Sequence, residues 1–149
     1  MPLAVLICLA FGLAGCGSGI EVNLNADAAL NPANSRDSES LPVVVRLYQL
    51  TDDKAFAAAS FKEMWKDDAK ALGAGLLNRE EFVMSPGSTK VQEYERQEGV
   101  KYMGVMAIFR NQEGDNWRAV TEINSGFIGS MFSKTVEVSL AKNTINIVE

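Results

Sequence analysis

Val43-Val44-Val45-Arg46-Leu47-Tyr48-Gln49-Leu50 is the stretch on which the fold turns. Pro42 precedes it, and a run opening on three β-branched residues favours an extended chain. Side chains alternate across a strand, so Val43, Val45 and Leu47 share one face and Val44, Arg46 and Tyr48 the other. Apolar residues on both faces predict a central strand whose sheet is covered, at least in part, on its second side.

Upstream, Ile20-Glu21-Val22-Asn23-Leu24-Asn25 alternates with period two, as a half-buried strand does, with Ile20, Val22 and Leu24 turned inward. Between these two strands the pattern dissolves into Ala, Asn, Asp, Ser and a Pro over 26–41. A connection of about sixteen residues exceeds the usual length in a compact domain, where loops beyond about 12–15 residues are functional or disordered. It is the first candidate for contact with a partner.

Downstream the period becomes helical over about 52–73. Asp52 or Asp53 caps a short Ala-rich helix through Ala59, and Ser60 with Glu63 forms a capping box for a second. In the second helix Phe61, Met64, Trp65, Ala69 and Leu72 form the expected core stripe, with Lys62, Lys66, Asp67 and Lys70 elsewhere and Gly73 as the stop. The rest is strand-rich. Residues 76–84 lead into the turn Ser85-Pro86-Gly87, and 88–95 read as an edge strand, with Val91 set among charges. Residues 101–110 and 117–123 form a hairpin across the polar turn 111–116, and 134–140 and 144–148 alternate again, with Val136, Val138 and Leu140 facing in. About eight strands and one helical insertion predict a mainly β protein, a β-sandwich.

The first residues have a different character. The apolar run 3–14 is too short to cross a bilayer, which takes roughly 17–25 residues, and it ends in small residues as a secretory leader does. Leu13-Ala14-Gly15-Cys16 resembles a bacterial lipobox, in which the cysteine receives a diacylglycerol as the leader is cut away. The expected organisation is a signal peptide over 1–15, a lipidated tether over 16–19 reading Cys-Gly-Ser-Gly, and one domain over 20–149. Only two cysteines occur. Cys8 is an apolar filler of the leader, and a lipidated Cys16 leaves no thiol for a disulfide.

The chain contains no histidine, so it lacks the commonest general base, metal ligand and partner of a nucleophile. Adjacent carboxylates occur at Asp52-Asp53, Asp67-Asp68 and Glu80-Glu81. Glu80 and Glu81 on a strand point to opposite faces, and Asp67 and Asp68 are expected on a solvated helix face. Gly126 and Gly129 come without a phosphate-loop lysine. Arg110, Trp117 and Arg118 read as a stacked structural group rather than a nucleic-acid reader. With 14 basic against 19 acidic residues and a net charge of -5, no basic cluster suits nucleic acid or draws the domain onto anionic lipid. Not an enzyme, the protein is expected to have no catalytic, metal-binding or cofactor-binding residue.

These pieces together resemble the TssJ family of bacterial type VI secretion lipoproteins. The matching residues are Cys16, the 43–50 strand, Ala55-Phe56, Phe61, the run LGAGLLNREEFVMSPG over 72–87, Gly104-Val105, Phe109-Arg110 and Trp117-Arg118. The resemblance implies a transthyretin-like β-sandwich with a helical addition and a scaffolding role. It implies a lipid anchor at Cys16 on the periplasmic face of the outer membrane, and Gly17 rather than Asp after it agrees with outward sorting. The implied partner is the C-terminal periplasmic region of TssM, itself rooted in the inner membrane with TssL. The implied docking element is the loop 27–41, carrying Asp27, Leu30, Asn31, Pro32, Arg36, Asp37 and Leu41. The alternative is a carrier lipoprotein for a small ligand or lipid, with a pocket between sheet and helix near Trp65.

Overall fold

A computed structural model describes residues 19–33, 36, 39–123 and 133–148. The expected leader, Cys16 and Asp37 lie outside the described residues, as does the stretch 124–132. The elements are β1 (Gly19–Ala26), β2 (Val43–Leu50), α1 (Lys54–Ala58), α2 (Phe61–Leu72), β3 (Leu76–Met84), β4 (Thr89–Glu95), β5 (Tyr102–Ala107), β6 (Arg118–Glu122), β7 (Lys134–Ala141) and β8 (Thr144–Val148). They make two four-stranded sheets, ordered β4-β1-β7-β8 and β3-β2-β5-β6.

The 43–50 strand is central, flanked by β3 and β5, both antiparallel to it. Its Val43, Val45 and Leu47 are buried, as are Ile20, Val22 and Leu24 of β1 and Val136, Val138 and Leu140 of β7. The two sheets bury these faces against each other, as a sandwich does. β1 is interior to its own sheet, antiparallel to β4 and parallel to β7. The 88–95 segment is the edge strand its sequence suggested, with Val91 outward. Gly19 already pairs with Glu95, so β1 opens one residue before the strand expected from Ile20.

The other face of β2 lies under the helices. Phe56 of α1 is buried on Tyr48, ring centroids 5.7 Å apart, and it comes so near β5 that a Cβ on Gly104 would lie 3.2 Å from its ring. A methyl there fits only if the ring gives way by a few tenths of an ångström. The Ser60–Glu63 capping box forms as read, each residue satisfying the other's backbone amide.

The expected core stripe of α2 is corrected. Met64, Asp68 and Leu72 are buried, whereas Trp65 is 52% exposed and Ala69 is exposed too. Asp68, expected on a solvated face, is only 3% exposed. The helix breaks at Asp67 (φ -158, ψ 73), whose side chain accepts from the Lys70 amide at 3.1 Å and so caps a second short turn. A buried carboxylate is tolerable only when paired and hydrogen-bonded. Here the sheet supplies the partners.

Candidate functional site

β1 fixes the two ends of the molecule. Its first residue pairs with Glu95 at the end of β4, and Gln49 near the end of β2 clamps the same corner, donating to the Glu95 carbonyl and accepting from the Gln97 amide, both at 2.9 Å. Strand β1 therefore starts at this corner. Its last residue, Ala26, opens the loop 27–41 at the other end of an eight-residue strand, about 25 Å away at the rise of a β-strand. Gly19 and the loop occupy opposite ends of the sandwich.

The loop is stapled at its base by every turn of that end. The Asp27 amide donates to the Leu140 carbonyl, the Gly87 amide donates back to the Asp27 carbonyl, and the Leu41 amide reaches the Leu30 carbonyl. The Asp27 side chain accepts from the Ala29 amide at 2.7 Å, closing an Asx turn. Asn31 is the hub. It adopts φ 53, a left-handed conformation that Asn tolerates better than most residues. Its amide donates to the Lys142 carbonyl, its side-chain amide donates to the Pro42 carbonyl at 3.0 Å, and its side-chain oxygen accepts from the Arg110 amide at 2.8 Å. The Arg110 guanidinium reaches the Asn31 carbonyl at 3.2 Å and the Glu39 carbonyl at 3.5 Å, tying both limbs of the loop to the β5–β6 connection. Asn143 donates to the Pro32 carbonyl at 3.3 Å.

The residues expected to meet a partner thus divide. Leu30 and Asn31 face the interior, the first because a large apolar side chain gains from burial and the second because its side-chain amide is hydrogen-bonded at both its oxygen and its nitrogen. Asp27 builds the base, Pro32 and Leu41 are half-buried, and Arg36 stands in solvent. Sequence reasoning missed Arg110 as the clasp. Its signal was a strand-end cation next to a long loop rich in carbonyls.

A second unforeseen group holds α2 against the sheet. One Asp68 oxygen accepts from Arg46 at 3.2 Å and from the Tyr48 hydroxyl at 2.8 Å, and the other accepts from Arg79 at 2.8 Å. Arg46 also binds Glu81 at 2.6 Å and the Met64 carbonyl at 2.9 Å. Burial opposes the charge on Arg46, but its hydrogen bond to Glu81 and the nearby Tyr48 and Asp68 outweigh that and raise its pKa. Burial, with the bond to Asp68, raises that of Tyr48. Arg118 does the corresponding work for α1, donating to the Phe56 and Ala59 carbonyls at 2.7 and 2.6 Å while its guanidinium stacks 4.6 Å over Trp117. That is the structural stack expected of the pair.

Little room remains for a carrier pocket beside Trp65, since Met64, Asp68, Leu72, Tyr48 and Phe56 fill the space between helix and sheet. Between the sheets, a slot lined by Leu47, Gln49, Asn78, Glu80, Tyr94 and Met103 is too tight to admit water. Among the described residues no group of three His, Cys, Asp or Glu is placed to hold a metal ion, and no helix is long and apolar enough to cross a membrane.

The family model T6SS-SciN, described as type VI secretion lipoprotein, VasD, EvfM, TssJ, VC_A0113, matches residues 18–143. The chain belongs to the type VI secretion lipoprotein family. Among solved structures it is similar to the type VI lipoprotein TssJ1 from Pseudomonas aeruginosa, at 26% identity and a TM-score of 0.77, covering 89% of this chain and 95% of that one. Serratia marcescens Lip, a membrane bound component of the type VI secretion system, shares the fold at 21% identity and a TM-score of 0.80, over 89% and 99%. So does a chain in the structure described as the T6SS protein TssM C-terminal domain (869–1107) from EAEC, at 20% identity and a TM-score of 0.71, over 88% and 98%. No curated protein matches the chain. The eight-stranded, two-sheet sandwich of this family is the fold its sequence predicted.

Proposed function

We propose that this family member is moored in the outer membrane by a lipid on Cys16, faces the periplasm, and docks the C-terminal periplasmic region of TssM through the loop end of the sandwich. TssM, rooted with TssL in the inner membrane, is thereby joined to the outer one. The protein works as a scaffold and catalyses nothing. The observation that carries this reading is that Gly19, where the expected tether would join the domain, and the stapled loop lie at opposite ends of β1. A domain hung from a bilayer by its first strand presents the far end to a partner from the opposite membrane. Family membership and the shared fold in a structure described as the TssM C-terminal domain support it.

The loop's construction suits the role. Its base is hydrogen-bonded to the neighbouring turns on both limbs, so less ordering entropy is lost there on binding. Anchoring follows from acyl-chain arithmetic: one chain holds a protein marginally, and two or more hold it stably.

Two variants test the proposal. Cys16→Ser should release the protein from outer-membrane fractions and stop secretion while leaving the domain folded. Replacing 33–40 by a Gly-Ser linker should abolish capture of the TssM C-terminal region while thermal unfolding stays nearly unchanged. Retention of the Cys16→Ser protein on the membrane would defeat the anchor, and undiminished capture by the linker variant would move the docking surface elsewhere.

A further inference from the structure

The loop end of the sandwich is closed by a reciprocal pair. The Asn31 side-chain oxygen accepts from the Arg110 amide at 2.8 Å, and the Arg110 guanidinium donates back to the Asn31 carbonyl at 3.2 Å. The same guanidinium reaches the Glu39 carbonyl at 3.5 Å. Asn31 stands on the outgoing limb of the loop and Glu39 on the returning one, so one side chain spans its mouth. Arginine suits the task, because its planar fork carries five donors and no acceptor and can serve two carbonyls at once.

The two sides of this clasp are unequally fixed. Phe109, next to Arg110, is buried, and the Ile108 amide donates to the Val44 carbonyl at 2.9 Å, which carries the pairing with β2 past the end of β5. Gln112 donates to the Phe109 carbonyl at 2.6 Å and closes the turn behind it. Arg110 therefore projects from backbone that core and sheet hold. Among the described residues of 27–42 none belongs to a strand or helix, so the two limbs are spaced by bonds of this kind and by the burial of Leu30. Where the loop base meets the β7–β8 turn, Asn31 at φ 53 donates its amide to the carbonyl of Lys142 at φ 54. Non-glycine residues persist in the left-handed region where surrounding contacts over-determine them, and such positions concentrate at ligand clamps.

We propose that Arg110 is a positioning residue for partner docking: its guanidinium fixes the spacing of the two loop limbs before the partner arrives, and thereby sets the rate of association. The proposal rests on the reading that the TssM C-terminal region docks at the loop end. A loop that holds its competent conformation for only a fraction of the time is captured more slowly by that fraction. Dissociation depends on contacts made after docking, and Arg110 leaves it unchanged. A direct contact behaves in the opposite way, because the loss of an interface contact appears mainly in the off-rate. Arg110 is exposed, so kinetics rather than burial separates the two roles.

The test uses Arg110→Ala, which removes the fork and keeps the backbone amide that Asn31 accepts from. It is made in the full chain carrying Cys16→Ser, so that no lipid is attached. Without any partner, hydrogen exchange at the Leu41 amide, bonded across the limbs to the Leu30 carbonyl, should speed by at least about tenfold. Exchange at the Ile123 amide, bonded to the Lys101 carbonyl at the other end of the sandwich, should stay as in the parent, as should the urea midpoint. On immobilised TssM C-terminal region, the association rate of Arg110→Ala should fall at least about fivefold while dissociation changes by less than about twofold. Arg110→Lys, with one ammonium in place of the fork, should recover part of the association rate. Faster dissociation with unchanged association, or unaltered exchange at Leu41, would overturn the proposal. A parent chain that does not bind the TssM region would bring down the docking reading and this proposal with it, whereas normal binding by the parent and identical kinetics for Arg110→Ala would overturn this proposal alone.

Discussion

The Tyr48 hydroxyl donates to Asp68 over 2.8 Å beneath the broken helix α2, joining the central strand to the helical layer through one buried carboxylate. Arg46 and Arg79 close on the same group. The helical insertion is thus held by charge as well as by Met64 and Leu72.

Asp68→Ala leaves the largely buried Arg46 without this counter-charge. Removing one partner of a buried pair costs about 3–5 kcal/mol, and the result should fall toward the lower end because Glu81 still holds Arg46. Tyr48→Phe loses a single hydrogen bond, about 1 kcal/mol. Urea unfolding midpoints check both.

Stability should change with pH at two extremes. Burial, then the bond to Asp68, raises the pKa of Tyr48, and burial, then the charge of Glu80, raises that of Tyr94 above 10.0. In the unfolded chain these phenols lose their protons first as pH rises, so their contribution is whole below pH 10.0 and declines above it. Tyr48→Phe should flatten the alkaline decline. On the acid side, the bonds from the Ser60 side chain and backbone lower the Glu63 pKa below 4.5. The capping-box contribution is present above 4.5 and is lost as pH falls through the lowered value, and Ser60→Ala, which keeps the backbone bond, should weaken that dependence.

The loop should separate stability from binding. Leu30→Ala empties a core position and should cost about 2–5 kcal/mol. Asn31→Gly keeps the left-handed backbone but loses the bonds to Pro42 and Arg110, so it should loosen the loop less than Asn31→Ala, which loses both. Arg36→Ala, on the exposed limb, should leave the unfolding midpoint within about 0.5 kcal/mol while weakening TssM capture. Calorimetric unfolding and a pull-down read the two effects.

Gly104→Ala should destabilise by about 1–3 kcal/mol, the usual cost of overpacking a core. The added methyl meets the Phe56 ring at 3.2 Å and Leu50 at 3.3 Å. Phe56→Leu in the same chain should recover part of the loss, as thermal unfolding would show.

Much of this was legible in the chain. Alternation marked Ile20 to Leu24, Val43 to Leu47 and Val136 to Leu140 as inward strands, because the period of a pleated strand is two wherever one face is buried. Ser60 and Glu63 announced a helix start, since their bonds join residues three apart. The α2 stripe was not legible. Hydrophobicity alone placed Trp65 and Ala69 inward and Asp68 outward, whereas the pairing of Asp68 with two arginines and a tyrosine reverses the order. Those partners lie 11, 20 and 22 residues away, beyond the reach of any local pattern.

The sequence by itself determined the strands, the capped helix and the want of a histidine, because each depends on residue type and near neighbours. Only the tertiary structure decided which loop residues are base and which are surface, where Gly19 and the loop sit along β1, and that one outer sheet face sets Glu21 opposite Glu93. Those properties belong to the pairing of segments far apart in the chain. Asn31 meets Arg110, and Glu21 meets Glu93, only once the sheets have formed.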